Sequence, residues 1–198
     1  MKIDLHCHTI KAKSGDGGRD IDPVSLAEVL AGSGVGIAAI TNHNLFDLAK
    51  FNQCTAAASV KGIDIWPGIE LDIQGKSGAV GHVIVIADPA YAKKFAEICD
   101  VLLNGTHPDD FVLKWDKLAP AFVEQGFDFI VMSHYRPLKA KAFKDKALPY
   151  ADNQALKASF PSDPPFYFEP SNLKRAGIMY AEGVDCLIGS DVKDWSRY

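Results

Sequence analysis

Several short apolar runs in this 198-residue chain end in a side chain that can bind a metal ion. IDLHCH ends in His6 and His8, IAAITNH in His43, FIVMSH in His134 and CLIGSD in Asp191, while Glu70 follows the apolar start of PGIELDI. His6 and His8 are two apart, so on a strand both imidazoles face the same side. Imidazole and carboxylate without thiolate suit zinc, manganese or ferrous iron, with magnesium a further option, and not copper(I) or an iron–sulfur cluster. His82 stands at the start of its apolar run. If Gly75–Gly78 is a four-residue hairpin loop, Gln74 faces Ala79 and Glu70 falls opposite Val83, within one residue of His82. These residues offer more donors than one tetrahedral ion uses, so two or three divalent ions bridged by Glu70 are expected. Any one of the histidines could be a core residue paired with a backbone carbonyl. Five aligned in this way point to a cluster. His107, in a loop before Pro108, reads as surface.

Positioning these donors requires strands whose C-terminal ends converge. Strands are expected at Ile3–Leu5, Gly36–Thr41, Ile63–Ile73 (interrupted by Pro67), Val80–Ala87, Phe127–Met132, Phe166–Phe168 and Val184–Ile188. Asp22-Pro23 and Asp88-Pro89 each read as an N-cap with proline at the first helical position. The first helix runs to about Ala31 and the second closes near Gly105. Further helices are expected over Leu45–Val60 and Asp109–Gln125, the latter kinked or broken at Pro120. Strands alternating with helices imply a mainly parallel α/β sheet, with chemistry at the strands' C-terminal ends. Periodicity alone leaves a closed barrel and an open doubly wound sheet both standing.

Composition narrows the function classes. The chain is 47% hydrophobic and 23% charged, as expected of one folded domain over residues 1–198. A net charge of −4 gives no global attraction to nucleic acid or anionic lipid. Four scattered cysteines lack CxxC spacing, and Cys7 alternates away from its histidine neighbours into the core. The N-terminus is too polar for a signal peptide, and no apolar run reaches the ~18 residues of a membrane span. A cytoplasmic location is therefore expected. Between Arg136 and Lys157, six cations stand against two carboxylates. Placed beside the site, they would form a basic rim that gathers polyanions.

Taken together, DLHCHT at 4–9, ITNHN at 40–44, PGIEL at 67–71, GHVIVI at 81–86, SHYRP at 133–137 and GSD at 189–191 resemble the PHP (polymerase and histidinol phosphatase) superfamily of metal-dependent phosphoesterases. The pieces appear in that family's order and span nearly the whole chain. The resemblance implies a distorted (β/α)7 barrel with two or three ions at its mouth. His6, His8, Glu70 and Asp191 would hold one ion, and Glu70, His82 and His134 a second. A third would use His43 and an acidic residue after the HxH motif, either Asp16 or one of Asp20 and Asp22. The family's histidine two residues past the final aspartate is replaced by Lys193, whose ammonium cannot ligate while protonated. Lys193 could instead be a fixed charge on a substrate phosphate. The family's closing helix is expected to be missing, because only seven residues follow Asp191.

The activity this implies is hydrolysis of a phosphomonoester, or of a nucleotide or oligonucleotide end, by a metal-activated water. Lys193 and Arg136 are the catalytic candidates. Arg136 is also the best forked phosphate contact and Arg19 the second. The GSDVKDWSRY ending also resembles PHP domains fused to large DNA-repair-like ATPases. The alternative is therefore a weakly active or inactive regulatory domain with an ATPase partner. An amidohydrolase-like barrel acting on C–N bonds is a further rival, but such enzymes place a lysine on the middle strand where Glu70 stands here.

Overall fold

A computed structural model describes residues 1–136, 146–161, 163–170, 173–181, 183–192 and 194–198, with only the backbone at 135, 136 and 173. Six strands carry the sheet: β1 (Lys2–Cys7), β2 (Val35–Ile40), β3 (Asp64–Gln74), β4 (Val80–Ala87), β6 (Phe129–Arg136) and β8 (Phe166–Glu169). Two-residue strands β5 (Leu113–Lys114) and β7 (Leu148–Pro149) extend β3 and β6. The helices are α1 (Pro23–Gly32), α2 (Leu48–Ser59), α3 (Ala92–Leu103), α4 (Leu118–Val123), α5 (Tyr150–Ala158) and α6 (Leu173–Ala181). Asp22 caps α1 through the Val24 and Ser25 amides, and Asp47 caps α2 through Lys50. Each such cap contributes about 1 kcal/mol.

The sheet order is β1-β2-β3-β4-β6, with β8 on β6. β1, β2 and β3 are parallel, β4 is antiparallel to β3 and β6, and β8 is parallel to β6. The succession is therefore not a uniform βα repeat: β3 and β4 form a hairpin with no helix between them. The segment 184–192 joins the two ends of the curled sheet. It bonds to β8 through Phe168 N to Asp185 O and Leu187 N to Phe168 O, and to β1 through Asp191 N to His6 O.

Strand alternation sorts the apolar side chains into two layers. Val83, Val85, Val131, Phe166 and Phe168 face outward into the large core under the helices. Leu5, Ala39, Ile84, Ile86 and Met132 face inward, with Trp66, Ile130, Tyr167 and Leu187 packed against them. This inner cluster is an apolar floor. One step nearer the mouth on the same inward rows come Glu70 and Asp72 on β3, His82 on β4, His134 on β6 and Glu169 on β8.

Several expectations need correcting. Pro67 does not interrupt β3; it stands where pairing with β2 ends and pairing with β4 begins, so its missing N–H falls at a change of partner. The helix expected over Asp109–Gln125 shrinks to α4, because Pro120 is tolerated only in a first turn. Val184–Ile188 makes a single bridge, Phe168 to Cys186, and is not a strand. The hairpin register is one residue off the expected one: Glu70 faces Ile84 and Asp72 faces His82.

Candidate metal centre

β1 is irregular between Asp4 and Cys7, where its register with β2 shifts. The Asp4 carboxylate accepts the His6 and Ser190 amide protons, tying the irregular turn to the returning segment. Gly189 passes so close that a Cβ there would lie 2.2 Å from the His6 Cβ. His8 follows β1, and its carbonyl accepts the Trp195 indole N–H. On the other side, Asn42 receives the Thr9 and Ile10 amides on its side-chain oxygen. Asn44, at φ 47°, donates its amide N–H to the Glu70 carbonyl and accepts from the Asp72 amide. His43 is thus held between two asparagines that lock the end of β2 to its neighbours.

The buried carboxylate of Glu70 is the centre of the site. Its Oε2 lies 3.1 Å from His6 Nε2, 3.3 Å from His8 Nε2 and 2.7 Å from His43 Nε2. Its Oε1 lies 2.5 Å from His82 Nδ1 and 3.5 Å from His134 Nε2. His6 and His8 present their Nε2 atoms 3.1 Å apart, and Asp191 Oδ1 stands 3.5 Å from His8 Nε2 and 3.9 Å from His6 Nε2. His6, His8, His43, Glu70, His82, His134 and Asp191 therefore meet at one rim. His107, by contrast, is exposed.

Of the three acidic candidates after the HxH motif, Asp16 reaches the cluster, 2.7 Å from His43 Nδ1. Asp20 accepts the Lys11 amide and Asp22 caps α1. Arg19, read from sequence as a substrate contact, is buried, donating Nη1 to Asp16 and Nη2 to Asp191. The Arg136 side chain and Lys193 lie outside the described residues, as do Lys139, Lys141 and Lys144 of the basic stretch.

Two carboxylates were missed. Glu169 places both oxygens 2.9–3.0 Å from His6 Nδ1, and Oε2 2.8 Å from His134 Nε2. Asp72 Oδ1 is 3.0 Å from His82 Nε2, and its Oδ2 accepts from Lys13 Nζ at 2.7 Å and from Lys146 Nζ. Both signals were available: Glu169 directly follows the FYF run, and Asp72 lies two past Glu70 on the same face.

The donor set fits divalent ions. Donors about 2.0–2.1 Å from one ion in a tetrahedron are roughly 3.3 Å apart, and His6, His8 and His134 stand 3.1–3.5 Å from Glu70, while His43 and His82 lie closer, at 2.7 and 2.5 Å. Among the described residues, three groups have ligand atoms mutually within 4.8 Å: His6, His8 and Glu70; His6, His134 and Glu169; His43, Glu70 and His82. His8 Nδ1, Glu70 Oε1, His82 Nε2 and His134 Nε2 are buried with no hydrogen-bond partner among the described residues. Yet Glu70 Oε1 and His82 lie within contact distance, as do His134 Nε2 and Glu169. Close but misaligned lone pairs are what atoms aimed at a common third point produce.

Charge balance in the metal-free chain supports the same reading. Burial opposes charge on His6, but Glu169 and Glu70 hold its pKa well above the usual value. His43 and His82 are also raised against burial, by Asp16 and Glu70 and by Glu70 and Asp72 respectively. Burial alone pushes Glu70 up, but His82, His6 and His43 bring it well below the usual range. Glu169 falls to about 2 against its burial, through His6 and His134. Raised imidazoles beside depressed carboxylates mark an excess of negative charge that divalent cations would also neutralise.

Glu169→Gln is expected to leave the chain folded while weakening metal binding about 10–100-fold, the usual cost of losing a carboxylate behind a ligating imidazole. A chelator-competition titration of the variant beside the parent measures it, and equal affinities would refute the role.

No family model matches the sequence, and no curated protein matches it. Solved structures do. A protein from Bifidobacterium adolescentis described as a metal-dependent phosphoesterase superposes with TM-score 0.57 at 13% identity over 96% of this chain and 87% of its own. An amidohydrolase from Chromobacterium violaceum gives 0.57 at 14%, over 98% and 88%. Endonuclease Q, complexed with a duplex carrying an abasic lesion at its active site, gives 0.56 at 14%, over 98% of this chain and 49% of that one. A two-domain protein from Bacteroides vulgatus, described as containing a PHP-like metal-dependent phosphoesterase, gives 0.53 at 14%, over 100% and 53%. At these identities the likeness is one of fold. The chain has the curled α/β fold of PHP-like metal-dependent phosphoesterases, a fold shared with hydrolases of more than one bond type. None of these four is described as an ATPase, so the expected ATPase partner gains no support from them.

Proposed function

We propose that the protein is a metal-dependent phosphoesterase hydrolysing a phosphomonoester or the end of a nucleotide or oligonucleotide. The observation that carries this is Glu70, whose two oxygens face two different groups of imidazoles, as a bridging ligand would. His6, His8 and Asp191 would hold an ion on the Oε2 side, with His43 beside it, and His82 and His134 one on the Oε1 side. Bound divalent ions supply Lewis-acid activation of water and charge neutralisation on phosphoryl oxygens.

The chain's own residues fix that chemistry in place. Glu169 orients His6 through Nδ1, and Asp16 orients His43 in the same way, so each ring turns Nε2 toward Glu70. The more open members, Asp191, His134 and His82, mark the side from which a phosphate approaches. Half-exposed Lys146, held by Asp72, contributes a cation at that edge. Arg136 and Lys193, two residues past His134 and Asp191, are the proposed phosphate contacts. The Endonuclease Q likeness supports nucleic acid as a substrate class, without distinguishing an end from an internal site.

Metal-replete protein should release product from p-nitrophenyl phosphate or from end-phosphorylated oligonucleotides with Mn, Zn, Fe or Mg. Activity should vanish on chelation and in His8→Ala. Protein that retains its ions yet turns over none of these substrates would favour the regulatory metal-binding reading, and turnover of amide substrates alone would favour the amidohydrolase reading.

A further inference from the structure

We infer that Lys146 is a specificity residue of the centre, held at its rim by Asp72 to take the third oxygen of a terminal phosphate, so that phosphomonoesters are preferred over phosphodiesters. The inference rests on the phosphoesterase reading above and narrows its substrate class.

Asp72 lies one step beyond Glu70 on the inward row of β3 and faces His82 across the hairpin. Its Oδ1 is 3.0 Å from His82 Nε2 and 3.4 Å from Lys146 Nζ, so imidazole and ammonium flank one oxygen. Its Oδ2 accepts from Lys146 Nζ at 3.2 Å and from Lys13 Nζ at 2.7 Å. Lys13 and Asp72 are both buried, and the shorter of these two bonds joins them. One buried ammonium therefore already balances the Asp72 charge, and Lys146 brings a second positive charge that the carboxylate does not need. A half-exposed ion pair adds little to a fold, so stability alone gives no reason for it.

Lys146 is nonetheless fixed in place. Its carbonyl accepts the His82 N–H at 2.7 Å, and Leu148 and Pro149 pair with Tyr135 and Arg136. Gly81 lets this segment lie against β4: a Cβ there would stand 2.5 Å from the Leu148 amide nitrogen and 2.9 Å from the Ala147 carbonyl carbon. The lysine is thus tied by its backbone to His82, and by its side chain to the carboxylate beside the same imidazole. An ammonium has three N–H donors, and this one is half-exposed, so it can still donate to a ligand arriving at the His82 and His134 side.

Counting oxygens gives the selectivity. A phosphomonoester has three non-ester oxygens and carries close to two negative charges at pH 8, above its second pKa of about 6. With two oxygens turned to the centre, the third is left for Lys146. A phosphodiester has only two such oxygens and a single charge, which leaves nothing for the ammonium to bind.

Mn2+-loaded wild type, Lys146→Met and Lys146→Arg decide the matter, with metal content checked by elemental analysis. Two quantities are measured: affinity for inorganic phosphate by isothermal titration calorimetry, and kcat/KM at pH 8 for p-nitrophenyl phosphate and bis(p-nitrophenyl) phosphate. The wild type should favour the monoester. Lys146→Met should weaken phosphate binding about tenfold, the scale of one charge-assisted hydrogen bond at a half-open site, and lower the monoester-to-diester ratio by a similar factor. Lys146→Arg should restore most of both. A wild type that binds no phosphate or prefers the diester, an affinity unchanged in Lys146→Met, or equal losses on both esters would overturn the inference and leave the phosphoesterase reading standing. Phosphate binding that depends on Lys146, without turnover of either ester, would keep the phosphate contact and overturn that reading instead. A wild type that takes up no Mn2+ would overturn both.

Discussion

Glu70→Gln is expected to abolish stable metal loading and phosphoester hydrolysis while the chain remains folded at pH 8. The amide matches the carboxylate in size, so the apolar floor beneath it and the pairing of β3 with β4 are undisturbed. What changes is charge. Both oxygens of Glu70 face imidazoles, and a neutral amide offers a weaker donor to one group and an N–H to the other. Loss of an orienting carboxylate alone costs about 10–100-fold in affinity, and a shared ligand should cost at least ~100-fold on each side. Elemental analysis after dialysis, beside circular dichroism, measures the effect. A variant that keeps its full metal complement would show that Glu70 is not the bridge.

How much of this was legible beforehand depended on local pattern. His6, His8, His43, His134 and Asp191 each close an apolar run, and a polar residue ending a buried strand must lie at the sheet's rim. Their convergence could therefore be read from spacing alone, and so could the cap at Asp22, whereas Asp88 caps only a 3-10 turn (Pro89–Tyr91) ahead of α3. Register across the hairpin could not, because the turn has one residue more between its strands than a four-residue loop supplies, and that step decides which residue faces His82. Glu169 and Asp72 were overlooked although they obey the same strand-end and same-face rules. Arg19 was visible only as a cation in a glycine-rich loop. Its engagement with Asp16 and Asp191 depends on how residues 9–22 fold back over the mouth, and that segment has no periodicity to betray it.

Metal-free and metal-loaded protein are expected to respond to pH in opposite directions. In the folded apo-protein His6, His43 and His82 hold protons above their unfolded range. Their contribution to stability is complete below about pH 6.5 and is lost as pH rises through the folded values. Glu70, Glu169 and Asp16 are depressed, the last two to about 2, so their contribution is present above about pH 4 and is lost toward pH 2. His8, lowered chiefly by burial, opposes the other histidines and costs stability where the unfolded chain would protonate it. Three histidines outweigh one, so apo stability should peak between about pH 4.5 and 6.5 and decline toward pH 9. Divalent ions require these imidazoles deprotonated, so their binding strengthens over the range in which the proton-held pairs fail. At a free metal concentration 100 times the dissociation constant, binding adds ~2.7 kcal/mol, about 5–10 °C in Tm for a chain of this size. Thermal melts from pH 5 to 9 with and without chelator should therefore diverge above pH 7. A chelated protein whose Tm climbs steadily to pH 9 would mean that the imidazoles are neutral in the apo fold and that carboxylate pairing does not hold the empty centre together.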